Sequence, residues 1–456
     1  MRASWHARGG RATRERRGAT RNPRPRLRCA RSRALDAPPV HIDDLARPRL
    51  PRAVRILNAL GDAPARRLVR LDAARLEAAA VRRTGLAELG DPGFREPLGV
   101  LVDALEREAG LSALGRLLTR SHLVQLFVNR LRLEDLIRRH PEVERERIER
   151  PIVIAGLPRT GTTHLFNLLA QDPGLRWLPY WESLEPIPDP RERPGPGGRD
   201  PRLARAERAL AFLHRLMPLF PAMHEMTAEG PHEEIQLLAL AFSTQLFEAS
   251  YFVPSYGAWY ARTDQRPAYA YLKRALQALQ WLRRGERWLL KSPQHLENLR
   301  ALVETFPDAV FVQTHRDPVR ITASLATTIA YGARMQHRRP DPVAIGRHWA
   351  GRVEDMLRAS VRDRALLPPA QVTDVSFDAL ARDPLGEAAR VLAFAGRPPD
   401  ARTEAALRAF VAENPKGKHG AIAYRLEPLG VDAAERRAAL RFYAARFGVR
   451  EEAEPA

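Results

Sequence analysis

Apolar residues recur at three- and four-residue steps through residues 50 to 148, as at Leu101, Leu105, Leu111, Leu114, Leu117 and Leu118, on a background of Arg and Glu. That spacing aligns them on one helix face, so the stretch reads as a helical segment. The pattern changes at Ile152. "PIVIAGLPRTGTTHLFNLLA", residues 151 to 170, predicts a buried strand, a tight glycine turn and the first turns of a helix. Residues 186 to 201, "PIPDPRERPGPGGRDP", carry too much Pro and Gly for regular structure and predict a surface loop. Helical spacing returns at 203 to 217 and 232 to 248.

From 287 onward the elements alternate. "RWLL" predicts a short strand. Residues 292 to 306 predict a helix with Ser292 as N-cap, Pro293 at its first position, and Leu296, Leu299, Val303 and Phe306 along one face. "DAVFVQT" is the continuous apolar run of a strand covered on both faces. Strand, crossover helix and strand make a right-handed βαβ unit with a parallel sheet. "AQVTDVSF", near 370 to 377, predicts one more strand, with helices after it. The expected fold is α/β: a mainly parallel sheet with helices on both faces, plus an N-terminal helical extension. The expected partition is a disordered arginine-rich tail over 1–48, a helical extension over 49–149 and an α/β domain over 150–450.

With 456 residues there is ample chain for a core. The net charge of +20 suggests a nucleic-acid binder until it is located. Residues 1 to 35 hold twelve arginines and one acid, Glu15, for +11, which leaves +9 on the other 421 residues. The tail has no apolar signal region, and no run of 18 apolar residues occurs. A cytoplasmic protein without a membrane span is therefore expected, and nucleic acid is not an expected partner. The single cysteine, Cys29, excludes an internal disulfide and a thiolate metal site. Only four of the 74 basic residues are lysines: Lys273, Lys291, Lys416 and Lys418. In so arginine-biased a chain, a lysine points to a need for its compact ammonium.

Three stretches carry chemistry. "GLPRTGTT" has phosphate-loop spacing, with Gly156 and Gly161 admitting close backbone approach and Thr160, Thr162 and Thr163 adding hydroxyls. Thr162 stands where an ATPase or kinase carries its lysine, and no apolar strand ends in a Mg²⁺-holding acid. This cradle therefore predicts a bound phosphate that is not itself transferred. In "FVQTHRDPVRITASLA", His315 and Arg316 lie at the carboxyl end of a strand, where open α/β sheets bind ligands. Asp317 caps the next helix, and Ser324 follows on it, giving a second phosphate site. "NPKGKHG", 414 to 420, places two lysines around a glycine.

The ordered set "PRTGTT", "LLKSP", "THRDPxxxxxS" and "NPKGKHG" resembles the sulfotransferases that use 3′-phosphoadenosine 5′-phosphosulfate (PAPS), in their bacterial branch with a helical N-terminal extension. The resemblance covers roughly 50 to 450. It implies transfer of a sulfonate from PAPS to a hydroxyl of a small-molecule, lipid or glycan acceptor, with no metal required. It implies that Arg159, Thr160, Gly161, Thr162 and Thr163 hold the 5′-phosphosulfate, that Arg316 and Ser324 hold the 3′-phosphate, and that Lys416, Gly417 and Lys418 form a C-terminal phosphate-contacting loop. Arg159, which cannot give up its proton, and Lys291 would stabilise charge at the sulfonate. His224 is the first choice of base and Glu182 the second; Glu225, His232, Glu233 and Glu234 lie in the same stretches. Aromatic residues at 177–181 and 251–260 would either line an acceptor pocket or fill core. Two other readings stay open at this point: a P-loop nucleotide kinase, and a non-catalytic adapter binding nucleic acid through its basic tail.

Overall fold

The computed structural model describes residues 39–415, 418 and 420–452. Five strands, β1 (Ile152–Ala155), β2 (Leu175–Arg176), β5 (Arg287–Lys291), β6 (Val310–His315) and β7 (Val372–Ser376), form one sheet in the order β2-β5-β1-β6-β7. Every neighbouring pair in it is parallel. A separate antiparallel pair joins β3 (Leu178–Pro179) to β4 (Pro231–His232). The chain thus has the α/β architecture expected of it, with β1 central: Ile154 lies opposite Lys291 on one side and Val312 on the other.

All four residues of β1 are fully buried, because alternate side chains serve two different cores. Ile152 and Ile154 point to a layer containing Leu165, Phe166 and Leu169 of the helix Thr162–Leu169. Val153 and Ala155 point to the opposite layer, where they join Trp288, Leu290 and Phe311 from the flanking strands. That second layer is continuous with the N-terminal helices. Leu76 and Ala80 of Ala73–Thr84, Leu98 and Leu101 of Arg95–Arg107, and Leu123 and Phe127 of Ala113–Arg139 share one core with it. Residue 150 therefore marks a change of element type within a continuous core.

The structure departs from the expected elements in four places. Residues 39–48, read as the end of a disordered tail, are fixed: Val40 bridges to Ile422, Leu45 is buried, and Asp44 pairs with Arg334 at 2.8 Å. The helix expected over 232 to 248 is broken into Ile235–Leu238, a turn of 3-10 helix and Gln245–Ser250. Phe242 adopts a left-handed φ of 54°, and the Thr244 hydroxyl starts the second piece by accepting from Leu246 N. The helix expected over 292 to 306 divides at Asn298, and Ser292 makes no capping bond. There Gln294 and His295 turn inward to tertiary partners: Thr244 Oγ1 donates to Gln294 Oε1 at 2.6 Å, and His295 Nδ1 meets the Tyr269 hydroxyl at 2.8 Å. The proline-rich stretch is a loop, yet its first half is not a surface loop. Ile187 and Asp189 are buried, and Arg132 donates to Asp189 at 2.6 Å.

Because the N-terminal helices complete this core, a chain starting at residue 150 would leave part of it open to water. Such a fragment is expected to lack a cooperative thermal transition by circular dichroism, whereas the full chain has one. A sharp transition in the fragment would show that the sheet stands without the N-terminal helices.

Candidate functional site

The site is built where β1, β5 and β6 end. After β1 the chain turns through Gly156, at which an added Cβ would lie 2.0 Å from Thr314 Oγ1 on β6; only glycine fits so close a crossing. The buried Thr160 hydroxyl fixes the turn, at 2.7 Å from Leu157 O and 2.5 Å from Thr314 Oγ1. Gly161, at φ 90°, leads into the helix Thr162–Leu169 without a side-chain cap, so that helix's first N–H groups face the loop.

Arg159 stands at φ 76°, a left-handed backbone that a long side chain rarely adopts. Such strain costs about 1–3 kcal/mol and persists only where the surroundings hold it. Here they do. Arg316 Nη1 donates to the Arg159 carbonyl at 2.9 Å, and Arg159 Nε donates to Ser324 Oγ at 2.9 Å. Arg159 Nη1 also donates to the Met223 carbonyl, and its guanidinium lies 5.6 Å from the Tyr424 ring centre. The loop after β1 and the arginine–serine motif after β6 are thus bonded directly to each other.

Arg316 stacks on Phe377 at 3.8 Å and forms a two-pronged pair with Glu452, at 2.6 and 2.8 Å. Its neighbour Asp317 is the expected cap of the helix Pro318–Gly332, accepting from Val319 N, and it also accepts from Glu452 N. Ser324 is buried on that helix.

Lys291 closes β5 and is gripped at both ends by consecutive glutamates. Its backbone N–H donates to Glu234 Oε2 at 2.9 Å, and its ammonium pairs with Glu233 and reaches Thr163 Oγ1 at 3.5 Å. Glu234 is itself fixed by a bond to the fully buried His295, whose other nitrogen meets Tyr269. Burial acts to raise the Glu233 carboxyl, but Lys291, His224 and His232 outweigh it and hold it below the usual carboxylate value.

His224 ends the short helix Phe220–Met223, the element whose Met223 carbonyl takes the Arg159 bond. Burial first, then the charges of Lys291 and Arg159, push its imidazole down to about 4, with Glu233 opposing. His232, edge-on to Tyr180 at 4.7 Å, is pushed down to about 3, chiefly by burial. Arg159, Lys291, Glu233, His224 and His232 therefore form one electrostatic cluster. Glu182 is buried in a different environment. It accepts from Arg176 at 2.5 Å and from Arg283 at 3.2 Å, and Arg176 in turn stacks on Trp288.

In the C-terminal loop, Lys418 donates to Asn414 Oδ1 at 2.9 Å and lies 3.7 Å from Glu225. Lys416 and Gly417 lie outside the described residues, as does Cys29. Of the aromatic stretches, Tyr251, Tyr256 and Tyr260 are core, while Tyr180 reaches the site through His232. Two participants had no sequence signal that singled them out. Glu452 lies more than a hundred residues from its arginine, and Tyr424 follows the lysine loop as an ordinary aromatic. The Tyr424 hydroxyl is buried without a hydrogen-bond partner among the described residues.

A phosphate-type loop after the central strand, cations at the ends of three adjacent strands, and an arginine–serine pair bonded to that loop define the class: a P-loop-like α/β fold with its basic side chains gathered at the strand ends. Comparison with known proteins narrows this class. The model of the sulfotransferase family matches residues 151–401. The crystal structure of sulfotransferase STF1 from Mycobacterium tuberculosis H37Rv is 31% identical, over 82% of this chain and 98% of that one, with a TM-score of 0.71. That of sulfotransferase STF9 from Mycobacterium avium is 28% identical, over 84% of this chain and 98% of that one, at 0.75. A comparison with curated protein sequences gives no match. The chain belongs to the sulfotransferase family.

Four histidines are shifted far down by burial: His122, His224 and His337 to about 4, and His232 to about 3. Each stays neutral in the folded chain below the ordinary value of 6.5, where the unfolded chain takes up a proton. The stability these four groups contribute is therefore full above pH 6.5 and is lost as pH drops from there toward about 4. Thermal midpoints measured across that range should decline steadily, and His122→Gln should flatten the decline.

Proposed function

We propose that the protein transfers the sulfonate of PAPS to an acceptor hydroxyl by in-line displacement. The observation that carries this reading is the direct bonding of the two motifs, through Arg316 to the Arg159 carbonyl and Arg159 to Ser324. An anion held by one motif and an anion held by the other would belong to a single ligand, and a nucleotide with phosphate groups at 3′ and 5′ has that shape. Two features support the fit. Arg316 already takes a carboxylate, that of Glu452, with both prongs of its guanidinium, the geometry that also suits a phosphate. Gly156 and Gly161 bring backbone N–H groups close around the loop, where an anion is favoured.

In this reading Arg316 and Ser324 hold the 3′-phosphate, and the loop from Arg159 to Thr163 holds the 5′ end. The lysine loop, with Lys416, Gly417 and Lys418, closes over the nucleotide. Arg159 and Lys291 neutralise charge as the bond between sulfur and the 5′-phosphate oxygen breaks and the acceptor oxygen bonds to sulfur. His224 takes the proton of the acceptor hydroxyl, so that adenosine 3′,5′-bisphosphate leaves as the anion. An imidazole at about 4 is a weak base, and the cations Lys291 and Arg159 help to make it so. A donor whose negative charge offsets those cations removes their share of the depression, while the larger share due to burial stays. In this reading the acceptor alcohol approaches beside Tyr180 and His232, whose rings meet edge-on. The extension over 49–149 completes a single catalytic unit with 150–450. No helix among the described residues is long and apolar enough to cross a membrane.

Two measurements test this. Adenosine 3′,5′-bisphosphate should raise the thermal midpoint by several degrees, while ATP with Mg²⁺ and duplex DNA should not. Stabilisation by ATP with Mg²⁺ alone would favour a kinase. His224→Ala should cut turnover of PAPS by at least about a hundredfold and leave bisphosphate affinity within about twofold. Persistent turnover would pass the role to Glu182.

A further inference from the structure

The helix Arg52–Leu68 is attached to the protein through two polar side chains, with Val54 beside them packed against the core. Asn58 Oδ1 accepts from Leu114 N at 3.0 Å, and Asp62 Oδ1 accepts from Ala113 N at 2.7 Å, so two polar side chains cap the start of Ala113–Arg139. Asp62 also pairs with Arg338 at 2.9 Å. Gly61 lies between these two contacts, close against Ala113. A surface helix ordinarily does the reverse and buries its apolar stripe.

What faces water here is apolar. Leu60 and Leu68 are 76% and 79% exposed and Ile56 is 60% exposed, with Leu57 beside them. The helix has no fully buried residue. Arg52, Arg55, Arg66 and Arg67 are exposed around this stripe. The only acid in the helix is Asp62, already turned inward.

Charge chooses between the things that could cover such a stripe. A second copy meeting it face to face would bring four arginines against four. The chain's own first 35 residues carry +11 and would be repelled in the same way. An anionic lipid surface meets both features at once, accepting leucine and isoleucine below its headgroups while the headgroups pair with the arginines. We propose that Arg52–Leu68 is an interfacial helix that seats this protein on anionic bilayers. The arginines of residues 1 to 35, just upstream in the chain, add long-range attraction to the same surface.

The test compares the full chain with a Leu60→Glu, Leu68→Glu double variant, both sites being too exposed for the change to affect folding. Each is sedimented with vesicles of phosphatidylglycerol and phosphatidylcholine in equal parts, and with vesicles of phosphatidylcholine alone. The full chain should pellet with the anionic vesicles and not the neutral ones. The double variant, at an unchanged thermal midpoint, should partition at least about tenfold less. Equal pelleting of the variant would assign binding to the arginine tail alone and overturn the proposal. So would equal pelleting with neutral vesicles, or no pelleting at all. A dimer by sedimentation velocity that the same substitutions dissolve, without vesicle binding, would show that a second copy covers the stripe.

Discussion

The left-handed backbone at Arg159 is the constraint on which the site depends. A long side chain at φ 76° is held there only because Arg316 grips its carbonyl while Ser324 and Met223 hold its guanidinium. Those bonds make one rigid piece of three segments far apart in the chain: the turn after β1, the start of the helix after β6, and the short helix carrying His224. The strain at one residue is offset by contacts that also set the spacing between the loop after β1 and the arginine–serine motif after β6.

Lys291 receives the same treatment from the other side of β1. Glu234 holds its backbone, and the His295–Tyr269 chain holds Glu234, so the strand end is fixed from within the core. The ammonium is left to carboxylate and hydroxyl partners, Glu233 and Thr163. Directly under this arrangement the sheet divides two cores, one of which is completed by the N-terminal helices. The site therefore rests on a platform to which residues on both sides of 150 contribute.

Much of this was legible in the sequence. The loop spacing around Gly156 and Gly161, the Asp317–Pro318 helix start, the apolar runs of β1 and β6, and Lys291 at a strand end are local patterns, and local patterns survive folding. Elements whose residues answer to distant partners were not legible. The run from 232 to 248 has helical spacing, yet Glu234 is drawn to Lys291 and His295, and Phe242 bends the chain left-handed. The stretch after Pro293 is broken because Gln294 and His295 serve buried networks instead of a helix face. Residues 39–48 looked like tail because composition does not reveal that Asp44 meets Arg334. The grip of Glu452 on Arg316 follows from where the final segment packs, which no spacing announces.

The most direct measurement is calorimetric titration of the full chain and of Arg316→Ala with adenosine 3′,5′-bisphosphate and with adenosine 5′-monophosphate. The wild-type chain should bind the bisphosphate about ten- to a hundredfold more tightly, the worth of a charge-assisted pair, and the variant should bind the two nucleotides alike. Equal affinities in the wild-type chain, or a preference that survives in the variant, would contradict a site in which Arg316 reads the 3′-phosphate of the ligand that Arg159 holds.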